Sequence, residues 1–251
     1  MWLHAEREGE GPPIVLVHGF TQTRNCWGPI APDLAADHTV IRVDAPGHGM
    51  SSDVLAGLRT GGRLIADQGG EATYLGYSMG GRYLIHLALA NPELVRGLVL
   101  VGATAGIDDP DERATRADAD RATAQRLRDL GLLEFVKAWV AAPMFAGLPP
   151  EHQFQLERME NTVDGLENSL LQAGTGSQDP SWDKLHRLDM PVLVVAGALD
   201  DKYAALGHRL VEAIGDNAEL ALIDRAGHAA HLEDTPTFLA ALRAWLTTHD
   251  L

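Results

Sequence analysis

One seven-residue segment limits the folds open to this chain more than any other. Leu75-Gly76-Tyr77-Ser78-Met79-Gly80-Gly81 places a G-x-S-x-G between the β-rich run Thr73-Tyr74-Leu75 and a stretch from Met79 to Asn91 with Tyr83, Leu84, Leu87 and Ala88 at helical spacing. A strand that turns at once into a helix holds the central serine in a strained conformation, and the flanking glycines let neighbouring backbone approach. Ser78 is then expected to project its hydroxyl clear of the sheet.

The surroundings suit a sheet covered on both faces. Short, nearly continuous apolar runs recur at Ile14–Val17, Val40–Val43, Leu98–Val101, Val192–Val195 and Leu220–Ile223, as expected of buried parallel strands. Helical patterns lie between several of them, including Tyr203 to Ile214 with Leu206, Leu210 and Val211. Strand and helix in alternation predict an α/β fold with a mostly parallel sheet. A last helix over Pro236 to Leu246 carries Phe238, Leu239, Leu242, Trp245 and Leu246 toward the core.

The alternation lapses between Gly106 and Asp189, where acidic and Arg-rich stretches carry Leu132, Phe135, Val136 and Trp139 at helical spacing. The expected organisation is a core of residues 1–105 and 190–251 with a helical insertion, 106–189, after the Val101 strand. Asp108-Asp109-Pro110 and Gly174-Thr175-Gly176-Ser177 mark its polar boundaries.

A serine hydroxyl needs a base, and an imidazole needs a carboxylate to fix its tautomer. Of eleven histidines, His228 is the favoured base, in a glycine-bearing loop directly after a predicted strand, Arg225-Ala226-Gly227-His228. His231 is its local rival, while His86 and His208 fall inside predicted helices. For the acid, Asp200 ends Gly197-Ala198-Leu199-Asp200 after the Val192 strand, with Asp201 as the adjacent alternative. The chain order Ser78, Asp200, His228 is the one such a sheet requires. Val17-His18-Gly19-Phe20 ends the first apolar strand, so the Phe20 N–H can join the Met79 N–H as a pair of donors to a developing oxyanion. Asp44 to Ser51 reads as scaffolding beside the site.

Composition bounds the partners. Twenty Lys and Arg against 35 Asp and Glu give a net charge of -15, a field that repels nucleic acid. The chain has neither a run of about 18 apolar residues nor a secretory leader pattern, and its single cysteine, Cys26, cannot form an internal disulfide. A cytoplasmic protein without membrane contact, a monomer or small homo-oligomer, is the expectation.

Together these segments resemble the α/β-hydrolase superfamily, with 106–189 in the place of its lid. A narrower resemblance is carried by Gly19-Phe20-Thr21-Gln22-Thr23 with Trp27, by Gly76 to Arg82, and by Phe135 to Trp139 followed by Pro143-Met144-Phe145. Asp200-Asp201-Lys202-Tyr203 and Ala226 to His231 extend it. These look like the 2-succinyl-6-hydroxy-2,4-cyclohexadiene-1-carboxylate synthases of menaquinone biosynthesis, which eliminate pyruvate from a substrate with several carboxylates. The resemblance implies a small-molecule polycarboxylate ligand bound by Arg82, Arg116 and Arg158, with Tyr77 and Trp139 in the pocket. Bidentate arginine suits carboxylates, and Arg82 lies one helical turn after Ser78. Arg113, Arg121 and Arg126 compete with Arg116 as the carboxylate-binding residue. Asp53 to Gly70, glycine-rich and short of apolar residues, departs from the regular helix of that family.

The expected chemistry is a Ser-His-Asp lyase needing no metal or organic cofactor, since a triad and an oxyanion site supply proton transfer and charge stabilisation. A serine hydrolase forming an acyl-enzyme from an ester, lactone or diketone is the alternative. A silent receptor using the same pocket is the third reading.

Overall fold

Successive residues of the first apolar run divide between two cores: Val15 and Val17 pack into one buried cluster, and Ile14 and Leu16 into the other. That alternation, with all four side chains buried, is what a strand covered on both faces requires. In a computed structural model describing residues 1–251, seven strands form one sheet in the order β1-β3-β2-β4-β5-β6-β7. They are β1 (Ala5–Glu8), β2 (Pro13–Val17), β3 (Thr39–Val43), β4 (Ala72–Tyr77), β5 (Val95–Val101), β6 (Val192–Gly197) and β7 (Ala218–Ile223). β1 runs antiparallel to β3, and every other pairing is parallel.

Of the helices, α1 is Ile30–Leu34, α2 Leu58–Gly69, α3 Met79–Ala90, α4 Pro110–Val140, α5 Gln155–Arg158, α6 Val163–Ala173, α7 Asp201–Ile214, α8 Ala230–Glu233 and α9 Thr235–His249. One face of the sheet is covered by α2, α3 and α7 through Leu64, Tyr83, Leu84 and Leu210. The other is covered by α1 and α9 through Ile30, Leu34, Phe238 and Leu242. None of the helices is long and apolar enough to cross a membrane. Residues 106–189 hold α4, α5, α6 and short 3-10 turns but no strand. Asp109 caps α4 by accepting from the Asp111 and Glu112 N–H groups, and Gly131, at φ 71, breaks the helix.

Two elements differ from the sequence expectation. The short strand β1 lacks an apolar run: at the sheet edge its side chains are no more than partly buried, so its composition, Ala-Glu-Arg-Glu, stays polar. The irregular segment expected around Asp53 to Gly70 contains the twelve-residue helix α2. Its glycines serve close packing, since a Cβ on Gly61 would meet the Tyr83 ring at 2.3 Å and one on Gly62 the Tyr83 carbonyl at 2.8 Å. Tertiary contact here outweighs the weak intrinsic helix preference of glycine.

β3 lies on one side of β2 and β4 on the other. Chain direction across the sheet therefore reverses at β2, and in open parallel sheets the crevice beyond the strand C-termini at such a point is where ligands bind.

Candidate active site

Ser78 follows β4 and precedes α3 with φ 50 and ψ -104, outside the regions a side chain ordinarily occupies. The cost is carried by tight packing around it. A Cβ on Gly76 would meet the Gly81 nitrogen at 2.5 Å, and one on Gly80 would meet the Val17 carbonyl oxygen at 1.9 Å. With the Ser78 N–H bonded to the Val101 carbonyl at 2.8 Å, the turn has no room to relax, and the hydroxyl faces the crevice.

His228 Nε2 lies 3.2 Å from Ser78 Oγ. On the ring's other side Nδ1 lies 3.2 Å from Asp200 Oδ2, off the line of the ring N–H. Such contacts tighten in many enzymes only when substrate is bound. Asp200 also caps α7 by accepting from the Tyr203 N–H at 3.1 Å. Burial works to raise the Asp200 pKa, but the His228 contact and this N–H together hold it below the ordinary carboxylate range. The exposed Asp201 takes no part. His231 makes no hydrogen bond through either ring nitrogen; it is buried against Tyr77, Trp27 and Phe238.

Ser78 and His228 open onto a cavity of about 330 Å³. Every residue singled out from the sequence lines it: Phe20, Tyr77, Met79, Arg82, Arg116, Trp139, Arg158 and Asp200. Phe20 follows β2 in a loop held by His18, whose Nδ1 bonds the Gly19 carbonyl at 2.8 Å and whose Nε2 accepts from the Ala45 N–H at 3.1 Å. Burial lowers the His18 pKa to about 4, which keeps the ring neutral and able to accept. Gly19 is required because a Cβ there would strike the Tyr77 ring at 2.7 Å. Phe20 follows β2 and Met79 opens α3 directly after Ser78, and both line the cavity.

The arginines of the cavity fall into two kinds. Arg116 is half exposed and anchored, its Nε 2.7 Å from Asp120 Oδ1, while the buried Asp120 also accepts from the Gly176 N–H at 3.0 Å. Arg82 and Arg158 are buried and have no carboxylate partner. Arg82 Nη1 donates to the Ala173 carbonyl at 2.6 Å, and Arg158 Nε to the Gln153 carbonyl at 2.8 Å, with a further bond from Arg158 to the Thr21 hydroxyl. Burial pulls both guanidinium pKa values down. The competing arginines point elsewhere: Arg113 bonds the Ile107 carbonyl, Arg121 pairs with Asp118, and Arg126 is exposed.

Sequence reasoning missed Gln22, Asp120, Ser169 and Lys202, which also line the cavity. Asp120 carried a signal, four residues after Arg116 on a helix face. Ser169 carried none, because only the fold brings α6 over α3.

The alpha/beta hydrolase family model matches residues 14–242. A protein of Bacillus subtilis (strain 168), provisionally named a 2-succinyl-6-hydroxy-2,4-cyclohexadiene-1-carboxylate synthase, is 31% identical over 257 residues, covering 95% of this chain and 93% of its own. The enzyme of that name from Enterobacter sp. (strain 638) is 31% identical over 239 residues, with 92% of this chain and 90% of its own covered. Among solved structures, MenH from S. aureus superposes with a TM-score of 0.90 at 26% identity over 99% of each chain.

Proposed function

The chain belongs to the alpha/beta hydrolase family, on the branch of its 2-succinyl-6-hydroxy-2,4-cyclohexadiene-1-carboxylate synthase relatives, and from that premise we propose that it is a lyase. Its substrate is 2-succinyl-5-enolpyruvyl-6-hydroxy-3-cyclohexene-1-carboxylate, and the reaction is the 2,5-elimination of pyruvate. Residues 106–189 act as the lid over the crevice.

In this reading His228, oriented by Asp200, takes the Ser78 proton, and the Ser78 oxygen removes the proton at ring carbon 2. The C–H electron pair forms a ring double bond, the existing double bond shifts, and the C–O bond to the enolpyruvyl group breaks. A 2,4-diene remains, and the departing enolate gains a proton at carbon to become pyruvate. The Phe20 and Met79 N–H groups hold the negative oxygen that develops.

The observation that carries this reading is the pair of buried guanidiniums without a carboxylate. Buried, uncompensated charge is costly, and two such charges in one pocket of a protein with net charge -15 call for an anionic ligand with several carboxylates. A hydrolase of neutral esters has no use for them. The test is to supply the substrate and follow diene absorbance alongside pyruvate. Equal amounts of both support the lyase. Brisk cleavage of an aryl ester with no diene moves the assignment to a hydrolase.

A further inference from the structure

The polar contacts of the His228 ring are long. Its two nitrogens sit 3.2 Å from Ser78 and Asp200, at the long end of hydrogen bonding, and the contact with Asp200 is off line. Tyr203 and Tyr77 pack against the ring, with centroids 4.3 and 5.4 Å away, and the direction of its nitrogens also depends on its backbone, which runs through the irregular stretch between β7 and α8.

We propose that Glu233 is the positioning residue for His228, and that the lid sets its reach through Gly147. This rests on the reading of His228 as the general base, and not on the identity of the substrate. Glu233 Oε2 accepts from the Gly227 N–H at 2.7 Å, and Oε1 accepts from the Ala229 N–H at 2.9 Å. The peptide N–H groups on either side of the base thus end on a single carboxylate. Two charge-assisted bonds spanning three residues fix the loop far more firmly than neutral acceptors do.

The lid closes on this strap from the other side. The three atoms nearest a Cβ on Gly147 all belong to Glu233, with Oε2 at 2.2 Å and Cδ at 3.2 Å. Gly147 is absent from the residues with positive φ, so alanine can adopt its backbone. An added methyl there has one main effect, which is to push the carboxylate away from the loop. The same lid segment places Phe145 beside His228, ring centroids 6.3 Å apart.

Glu233→Gln and Gly147→Ala test the proposal together, because the first removes an acceptor oxygen and the second displaces the intact carboxylate. Both are expected to lower kcat by about ten- to a hundredfold, part of what a well-placed general base contributes. KM stays nearly unchanged, losses match on anionic and neutral substrates, and labelling of Ser78 by a fluorophosphonate slows in parallel. A kcat within about twofold of wild type in Gly147→Ala, or a loss confined to KM for the anionic substrate, overturns the proposal. If Glu233→Gln does not fold, Gly147→Ala decides alone. Wild-type activity in His228→Ala would instead overturn the underlying reading of the base.

Discussion

Arg24 Nη1 donates to Asp44 Oδ2 at 2.9 Å and to Glu160 Oε2 at 2.8 Å, so one nitrogen ties the loop after β3 to the stretch following α5. Asp44 is fully buried and also accepts from the Arg24 and Met50 N–H groups at 2.8 and 3.0 Å. Burial tends to lower the Arg24 pKa, yet Glu6, Asp44 and Glu160 together hold it above its usual value. The stretch from Asp44 to Ser51, expected to be scaffolding, is built around this ion pair.

The two ends of that link differ in energy despite similar distances. Asp44→Asn leaves Arg24 paired with Glu6 and Glu160 but replaces an accepting oxygen of a fully buried carboxylate with an NH2 that faces N–H donors, and is expected to cost about 1–3 kcal/mol. Glu160→Gln removes a partner whose side chain is 35% exposed, and at most about 1 kcal/mol should follow. Urea denaturation checks both; equal losses would contradict the distinction.

The arginines of the pocket should separate by substrate. On the proposed reading, in which Arg158 meets a substrate carboxylate, Arg158→Met costs about 1.5–3 kcal/mol of binding, read as a rise of roughly ten- to 150-fold in KM for the anionic substrate. Turnover of a neutral aryl ester should change little. Arg116→Ala is expected to act in the same direction but less, because Arg116 is half exposed and already paired with Asp120. Equal losses on both substrates would remove these residues from substrate binding.

Acid should destabilise the fold before most carboxylates titrate. Burial lowers His18 to about 4, and His48 and His231 to about 3, from 6.5. Between those values and 6.5 the unfolded chain binds more protons than the folded one, so stability is complete above about pH 7 and falls as pH drops toward 4. Thermal unfolding at a series of pH values tests this. His231→Leu, which removes a ring with no hydrogen-bond partner, should flatten the slope, whereas a Tm unchanged down to pH 4.5 would contradict the account.

The sequence made the strand-to-helix turn at Ser78 legible because strained turns need glycine at fixed positions, and the strand ends that carry Asp200 and His228 followed from their apolar runs. What stayed hidden depended on contacts across the fold. The helix α2 was obscured by Gly61 and Gly62, whose reason is the Tyr83 side chain and carbonyl pressed against them. Gly61→Ala should improve helix propensity yet lower stability by about 1–3 kcal/mol through overpacking, a result that denaturation of the single variant would check. The supports that Asp120 gives to Gly176 and His18 to Ala45 depend on backbone brought near only by the folded chain, whereas Glu233 acts on Gly227 and Ala229 within its own loop, where no residue pattern marks it.

Ser78, as the oxygen base of an elimination, is expected to drive pyruvate release from the enolpyruvyl cyclohexene substrate. Pyruvate release by wild type and Ser78→Ala, side by side with an aryl ester control, tests it most directly. Fast release by wild type, a loss of several orders of magnitude in Ser78→Ala, and slow ester turnover by both are expected. Release by Ser78→Ala at a rate close to wild type would contradict this role of Ser78.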